Sequence, residues 1–283
     1  MAQTRTDNNI KNIISNNKIL LLTSLLFLIG IVIALFFSNV NSDSAFILLD
    51  ANYVISIDET DYSLVDRSAP LPKELIDTKL RVLYDGKFLG SYKIDSLTKI
   101  TEDDDSLYFN DGKKSFSFEL PNIAMTANVE YIKYNLEDFE NSDLDALQNA
   151  VGMYWVKSLE SLTYAKKVVI DLNRDGIKET LYFASLTNEF VEGTEDDNEI
   201  SYKNPQFSIV YISINDEIIV LEDSTVSNTS QTLTEFGLSH IIDVFNDGKY
   251  EVVLSYTDYD LSSYMIYHYN KDGNYVLALA TGM

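Results

Sequence analysis

The sequence predicts a mainly β protein, in which one N-terminal transmembrane helix is followed by an antiparallel, β-rich extracytoplasmic region with a single short helix. Three observations predict it. Residues 19–37 are an uninterrupted apolar run without a charge. Beyond them, β-branched and aromatic runs alternate with turn dipeptides, and helical periodicity is scarce. With 283 residues, 46% of them hydrophobic, the chain has enough apolar side chains for a packed core despite a net charge of −23.

At about 1.5 Å per residue the run 19–37 reaches roughly 28 Å as a helix, close to the hydrocarbon thickness of a bilayer. It also exceeds the 7–15 residues usual for the apolar part of a cleaved signal. A signal anchor is therefore the expectation, with cleavage after Ser42 as the alternative. Both export the rest of the chain. Arg5, Lys11 and Lys18 precede the run, whereas Asp43, Asp50, Asp58, Glu59 and Asp61 follow it, so residues 1–18 form the cytoplasmic tail. That tail has three basic residues and one acid, a net +2, which leaves −25 of the whole chain's −23 on the remainder. Such a surface repels nucleic acid and attracts cations or basic partners. No cysteine is present, which excludes a disulfide framework and a lipid-attached thiol.

Within the exported part, residues 38–140 are expected to form a first β-rich unit and residues 141–283 a second. Arg81 to Tyr84, Asp85-Gly86 and Lys87 to Leu89 read as strand, tight turn and strand, and Asp111-Gly112 and Asp272-Gly273 stand in similar settings. The helix between the units is expected to be capped by Ser142, favoured by Asp143 and Asp145 at its positive end, and ended by Gly152. Its apolar face is Leu144, Leu147 and Val151. Residues 189–199, with six acidic side chains, read as an exposed loop.

Two segments share Ile, Asp, Asp, Gly and Glu at equal offsets, 72 residues apart. They are Ile170-Asp171-Leu172-Asn173-Arg174-Asp175-Gly176-Ile177-Lys178-Glu179 and Ile242-Asp243-Val244-Phe245-Asn246-Asp247-Gly248-Lys249-Tyr250-Glu251. Apolar strand-like stretches flank both. Calcium takes six to eight oxygen ligands, and acidic or amide residues at alternate loop positions can turn their oxygens to one centre. In the first copy Asp171, Asn173, Asp175 and Glu179 supply side-chain oxygens, Ile177 supplies its carbonyl, and Gly176 permits the bend. An EF-hand does not fit, because its twelfth position falls on Tyr182 and its flanks read as strands.

This pattern resembles the Asp-x-Asp/Asn-x-Asp-Gly-x-x-Glu calcium loops of FG-GAP/VCBS-type repeats, found in integrin-α-like β-propellers and in bacterial surface proteins. The resemblance covers the two loops and their strands. It implies a loop that joins two strands and binds Ca²⁺ through Asp171, Asn173, Asp175, Ile177 and Glu179. In the second copy Phe245 replaces a ligand, Asn246 is out of register, and Asp243, Asp247, Glu251 and the Lys249 carbonyl form a weaker set. A full propeller of this repeat length would exceed the chain, so two units forming a compact β domain is the expectation. Asp-Gly followed by a polar residue is also a plain hairpin turn, and that alternative stays open for both loops.

Signals of catalysis are few. His240 and His268 lie in apolar or aromatic β-like runs with no metal-type partner at short spacing. Ser96-Leu97-Thr98-Lys99 matches a Ser-x-x-Lys motif whose companion motifs are missing. Tyr256, Tyr259, Tyr264, Tyr267, Tyr269 and Tyr275 either line the core or present a binding face. The function expected is a membrane-anchored, calcium-stabilised module that binds a protein or a cell-wall polymer rather than an enzyme. An exported hydrolase acting through paired carboxylates, or an accessory or sensor subunit of a membrane complex, are the alternatives.

Overall fold

Along each strand successive side chains point to opposite faces, so the apolar positions decide which surfaces can stack. The structure is a computed structural model and describes residues 45–49, 53–58, 61–65, 72–84, 87–94, 108–110, 115–117, 122–126, 129–150, 152–187, 201–215, 217–228, 231–258 and 261–281. The expected membrane span, the turns Asp85-Gly86 and Asp111-Gly112, the acidic stretch 189–199, Val151, Tyr259 and Ser96 to Lys99 lie outside the described residues. No helix among the described residues is long and apolar enough to cross a membrane.

In chain order the elements are β1 (Ala45–Leu49), β2 (Tyr53–Asp58), β3 (Asp61–Leu64), α1 (Lys73–Asp77), β4 (Leu80–Tyr84), β5 (Lys87–Ile94), β6 (Tyr108–Asn110), β7 (Ser115–Ser117), β8 (Asn122–Met125), β9 (Glu130–Tyr131) and β10 (Glu137–Asp138). They continue with α2 (Asn141–Ala150), β11 (Tyr164–Ile170), β12 (Glu179–Leu186), β13 (Ser201–Ile214), β14 (Glu217–Asn228), β15 (Glu235–Asp243), β16 (Glu251–Asp258), β17 (Leu261–Tyr269) and β18 (Tyr275–Ala280). Every pairing is antiparallel. Sheet I runs β3-β2-β1-β8-β4-β5-β6-β7, sheet II runs β10-β11-β12-β13-β14, and sheet III runs β9-β15-β16-β17-β18.

Sheets II and III are built alike. Each is a four-strand meander with a two-residue strand added beside its first member, and in each the Asp/Gly/Glu loop joins the first strand to the second. The likeness read from ten residues thus extends to a whole four-strand unit.

Side-chain alternation stacks the sheets. Val168, Leu181, Phe183, Val210 and Ile212 on one face of sheet II pack against Val252, Leu254, Met265 and Tyr267 of sheet III. The opposite face of sheet III, with Ile242, Val253 and Ile266, packs against Ile47, Leu49, Ile55 and Ile123 of sheet I. Leu75 of α1 covers the far side of sheet I through Phe46, Leu48 and Val82, and Leu147 of α2 covers the far side of sheet II through Phe207, Ile209 and Tyr211. The central sheet is therefore buried on both faces, which is why β16 carries the unbroken apolar run Val252 to Leu254 after Glu251. Each such side chain, once buried, contributes about 1.5–3 kcal/mol.

Three sequence expectations meet this fold differently. The β4–β5 hairpin pairs Tyr84 with Lys87, and Gly273, at φ 84°, turns β17 into β18. The helix starts at Asn141, so Ser142 lies inside it and is not its cap; the Asp143 carboxylate reaches back to the Glu140 N–H at 2.6 Å instead. Gly152, at φ 77°, follows its end as expected. Across the expected divide near residue 140, β9 pairs with β15 of sheet III, and Ser44–Met283 is one compact unit.

Candidate functional site: twin acidic loops

Each loop is bent by the same local chemistry. Ile170 pairs with Glu179, and Ile242 with Glu251, closing the two hairpins at equivalent positions. In the first loop Asp171 Oδ1 accepts from the Asp175 N–H at 3.1 Å and Oδ2 from the Gly176 N–H at 3.0 Å. Asp243 does the same for Asp247 and Gly248, at 3.1 and 3.0 Å. Asp175 Oδ1 then accepts from Ile177 at 2.7 Å, as Asp247 Oδ1 does from Lys249 at 2.9 Å. Finally Glu179 Oε2 accepts from Leu172 at 2.7 Å, and Glu251 Oε2 from Val244 at 2.9 Å. The shared residues are thus the ones that satisfy the backbone donors of a tight loop. Arg174 and Asn246 adopt left-handed backbone at φ 56° and 52°, and Gly176 and Gly248 follow at 91° and 83°.

The two loops differ in what surrounds them. Asp171 and Asn173 are half-buried, Asp175 and Ile177 are exposed, and only Glu179 of the expected first set is buried. Asn173 Oδ1 also accepts from the Asp175 N–H, at 2.9 Å, so oxygens of Asp171 and Asn173 converge on one amide. Burial raises the Glu179 carboxyl pKa, with the Asp175 and Asp171 charges adding to the rise.

The second loop is walled in. Asp243 is fully buried and Glu251 is 2% exposed, whereas Asp247 is exposed and Lys249 half-buried. Phe245 meets the ring edge of Tyr62, whose hydroxyl donates to Glu251 Oε1 at 3.2 Å. Burial, with the nearby Asp243 charge, pushes the Glu251 pKa up to about 8. Arg174 of the first loop reaches across: its Nε donates to the Tyr250 hydroxyl at 2.7 Å, and its guanidinium lies 4.0 Å from Asp243 and 3.2 Å from Glu130. The Tyr250 N–H donates to the Leu172 carbonyl at 2.8 Å, fastening one loop to the other.

Sequence reasoning missed Arg174, Tyr250 and Tyr62 as parts of this site. A basic residue inside an otherwise acidic loop was the one local signal available for Arg174. For Tyr62, 189 residues from Glu251, there was none.

The described residues contain no ready-made group of three or more His, Cys, Asp or Glu side chains placed to hold a metal. The carboxylates of both loops accept from backbone amides; those of the first stand on an open surface, a chemistry that suits calcium, while in the second Glu251 also accepts from Tyr62 and Asp243 also faces Arg174. The histidines sit elsewhere. His240 is buried on β15, which lowers its pKa to about 4, and its Nδ1 lies 2.6 Å from Ser239 Oγ. His268 is half-buried on β17 with its ring against Tyr62. Of the C-terminal tyrosines, Tyr256, Tyr264, Tyr267 and Tyr275 are buried and serve the core. No protein-family model, no curated protein sequence and no solved structure matches the chain.

Proposed function

We propose that the chain is a membrane-anchored extracytoplasmic interaction module whose β11–β12 loop is stabilised by calcium. The observation that carries this reading is the contrast between the twin loops: the same backbone frame is open and lined with oxygen donors in one copy, and closed by Phe245, Tyr62 and Arg174 in the other. Asp171, Asn173, Asp175 and Glu179, with the Ile177 carbonyl, would hold the ion. Bound there, calcium neutralises three carboxylates held in one turn, where burial, and then the Asp175 and Asp171 charges, raise the Glu179 pKa. The ion's role is structural, fixing the loop beside the Arg174 bridge to sheet III. A strongly acidic surface concentrates divalent cations at such a loop and favours basic partners in a cell envelope.

The test is thermal melting of the purified full-length chain in calcium up to about 10 mM, since extracellular modules often bind at about 10⁻⁴–10⁻³ M. A ligand at a hundredfold excess over its Kd adds about 2.7 kcal/mol, so the melting temperature should rise by several degrees. Magnesium should do less, because it demands a tighter octahedral shell. Asp171→Ala or Asp175→Ala should remove most of the rise, and Asp243→Ala should retain it from a lower starting temperature. A wild-type chain indifferent to calcium over this range would reduce the first loop to a hairpin turn.

A further inference from the structure

We propose that residues 139–162, which cover the outer face of sheet II, form a lid that opens as a unit while the three sheets stay folded. The bonding of the segment, the position of its ends and the surface beneath it each point to this. Its turn and cap backbone bonds stay inside it. Leu144 donates to the Glu140 carbonyl at 3.3 Å, Met153 to Leu147 at 3.4 Å, Val156 to Met153 at 3.1 Å, and Leu162 to Leu159 at 3.0 Å. Gln148 Nε2 donates to the Val156 carbonyl and so ties α2 to the turn that follows it. Across to sheet II, the described residues show one ion pair, Asp143 with Lys167 at 2.8 Å, and the Tyr182 side chain stands beside it. The segment is thus bonded to itself and rests on the sheet mainly through apolar packing.

The ends of the segment meet the sheet at neighbouring points. Asp138 pairs with Lys166 in the β10–β11 ladder, and the Thr163 N–H donates to the Ser185 carbonyl at 2.9 Å. Both ends can therefore keep their ladder bonds while the chain between them lifts. Contiguous segments of this kind are the units in which proteins open locally.

Closure also carries a penalty at the contact surface. Two buried polar atoms there have no hydrogen-bond partner among the described residues: the hydroxyl of Tyr211, whose side chain is fully buried, and Trp155 Nε1. Tyr211 stacks on Tyr182 at 4.6 Å, and Trp155 stands edge-on to Phe207 at 6.3 Å. A buried donor without a partner loses its bonds to water and regains them on exposure, so these two atoms favour the open state. α2 adds little to hold the lid down. It has ten residues, a length at which a helix is marginal without tertiary packing, and Asp143 and Leu147 are the buried ones among those described. Opening uncovers Tyr182, Phe207 and Tyr211, an aromatic face that the module presents in the open state alone.

Hydrogen exchange of the full-length chain in detergent micelles, read peptide by peptide by mass spectrometry, tests the lid. Peptides from 139–162 should exchange together, at least about 100-fold faster than those from β12 and β13, and with a weaker dependence on urea, the mark of partial opening. Tyr211→Phe removes the unpartnered hydroxyl and should slow exchange in the lid by about tenfold. Ile266→Val alters the packing of sheet III on sheet I, which survives lid opening, so it should speed exchange in β16 and leave the lid unchanged. Trp155 is the single tryptophan of the chain, and its emission should shift to the red at urea concentrations below those that unfold the sheets. The lid is overturned if residues 139–162 exchange at the rate and urea dependence of β12 and β13, or if Ile266→Val speeds them as much as β16. It is equally overturned if Tyr211→Phe leaves their exchange unchanged, or if Trp155 emission and the β-sheet circular dichroism change in one transition.

Discussion

Glu251 is a carboxylate that is 2% exposed, bonded to Val244 and Tyr62 and close to Asp243, and its pKa is raised from 4.5 to about 8 chiefly by burial. Between those two pH values the native chain binds a proton that the unfolded chain releases. The stability tied to this group is therefore complete below about pH 4.5 and declines as the pH climbs to about 8. Glutamine can reproduce the protonated acid, its amide oxygen accepting from Val244 and its amide nitrogen donating to Tyr62. In EDTA, Glu251→Gln should gain stability relative to the wild type as pH rises from 5 to 8, by an amount on the order of 2–4 kcal/mol. Denaturant midpoints measured at several pH values would show it, and a difference that stays flat would mean that Glu251 is ionised in the fold. The role of this residue as a tether for β3 was not legible in the sequence, because its partner Tyr62 is remote and carries no motif. Its place in the repeat was legible, because the offset from Asp243 is the same as that from Asp171 to Glu179.

Among the elements, α2 shows how a short polar helix is fixed. Its first turn carries Asp143, 5% exposed, which accepts from the Glu140 N–H at 2.6 Å and from Lys167 Nζ of β11 at 2.8 Å. The contact with Asp143 raises the Lys167 pKa, as expected for a cation that gains a buried partner. Asp143→Ala removes a cap and strands a largely buried ammonium, so it should cost about 2–4 kcal/mol in urea unfolding. Asp143→Asn keeps an oxygen for the amide and should cost less. Equal costs would show that the cap contributes nothing. Leu144 and Leu147 were legible as the buried face from their spacing, but the start of the helix was not. Ser142 has the usual capping chemistry; the ion pair across to β11 makes Asp143, one residue on, the group that reaches back. The β17–β18 hairpin was legible through Gly273, and the loop geometry through Asp, Gly and Glu at fixed offsets. The clasp of Arg174 onto Tyr250 joins residues 76 apart, which no local pattern encodes.

For the molecule as a whole, period-two alternation told which segments are strands but not which sheets face each other, since any apolar face satisfies the same pattern. The continuous apolar runs Val252 to Leu254 in β16 and Ala45 to Leu49 in β1 were the signs of sheets covered on both sides. The two-residue strands β9 and β10 are too short to carry a pattern, so their bond to the C-terminal half, across the expected divide, could not be read. What the fold leaves to the sequence is topology in the membrane. Residues 19–37 carry no charge over a length that matches a bilayer, with Arg5, Lys11 and Lys18 before them and an acidic stretch after. Moving such a run into water would expose the apolar surface of nineteen residues, each buried methylene being worth about 0.8 kcal/mol, whereas a helix in lipid satisfies its own backbone. The proposed arrangement has the basic tail, residues 1–18, inside and residues 38–283 outside. Protease added to intact cells expressing the chain with an N-terminal tag should leave a small, membrane-bound, tagged fragment, while a C-terminal tag should be lost. Permeabilised cells should lose both. If the mature protein instead begins near Asp43 and washes freely from the membrane, the run is a cleaved signal: export stands, anchoring fails, and the module acts in solution outside the cell.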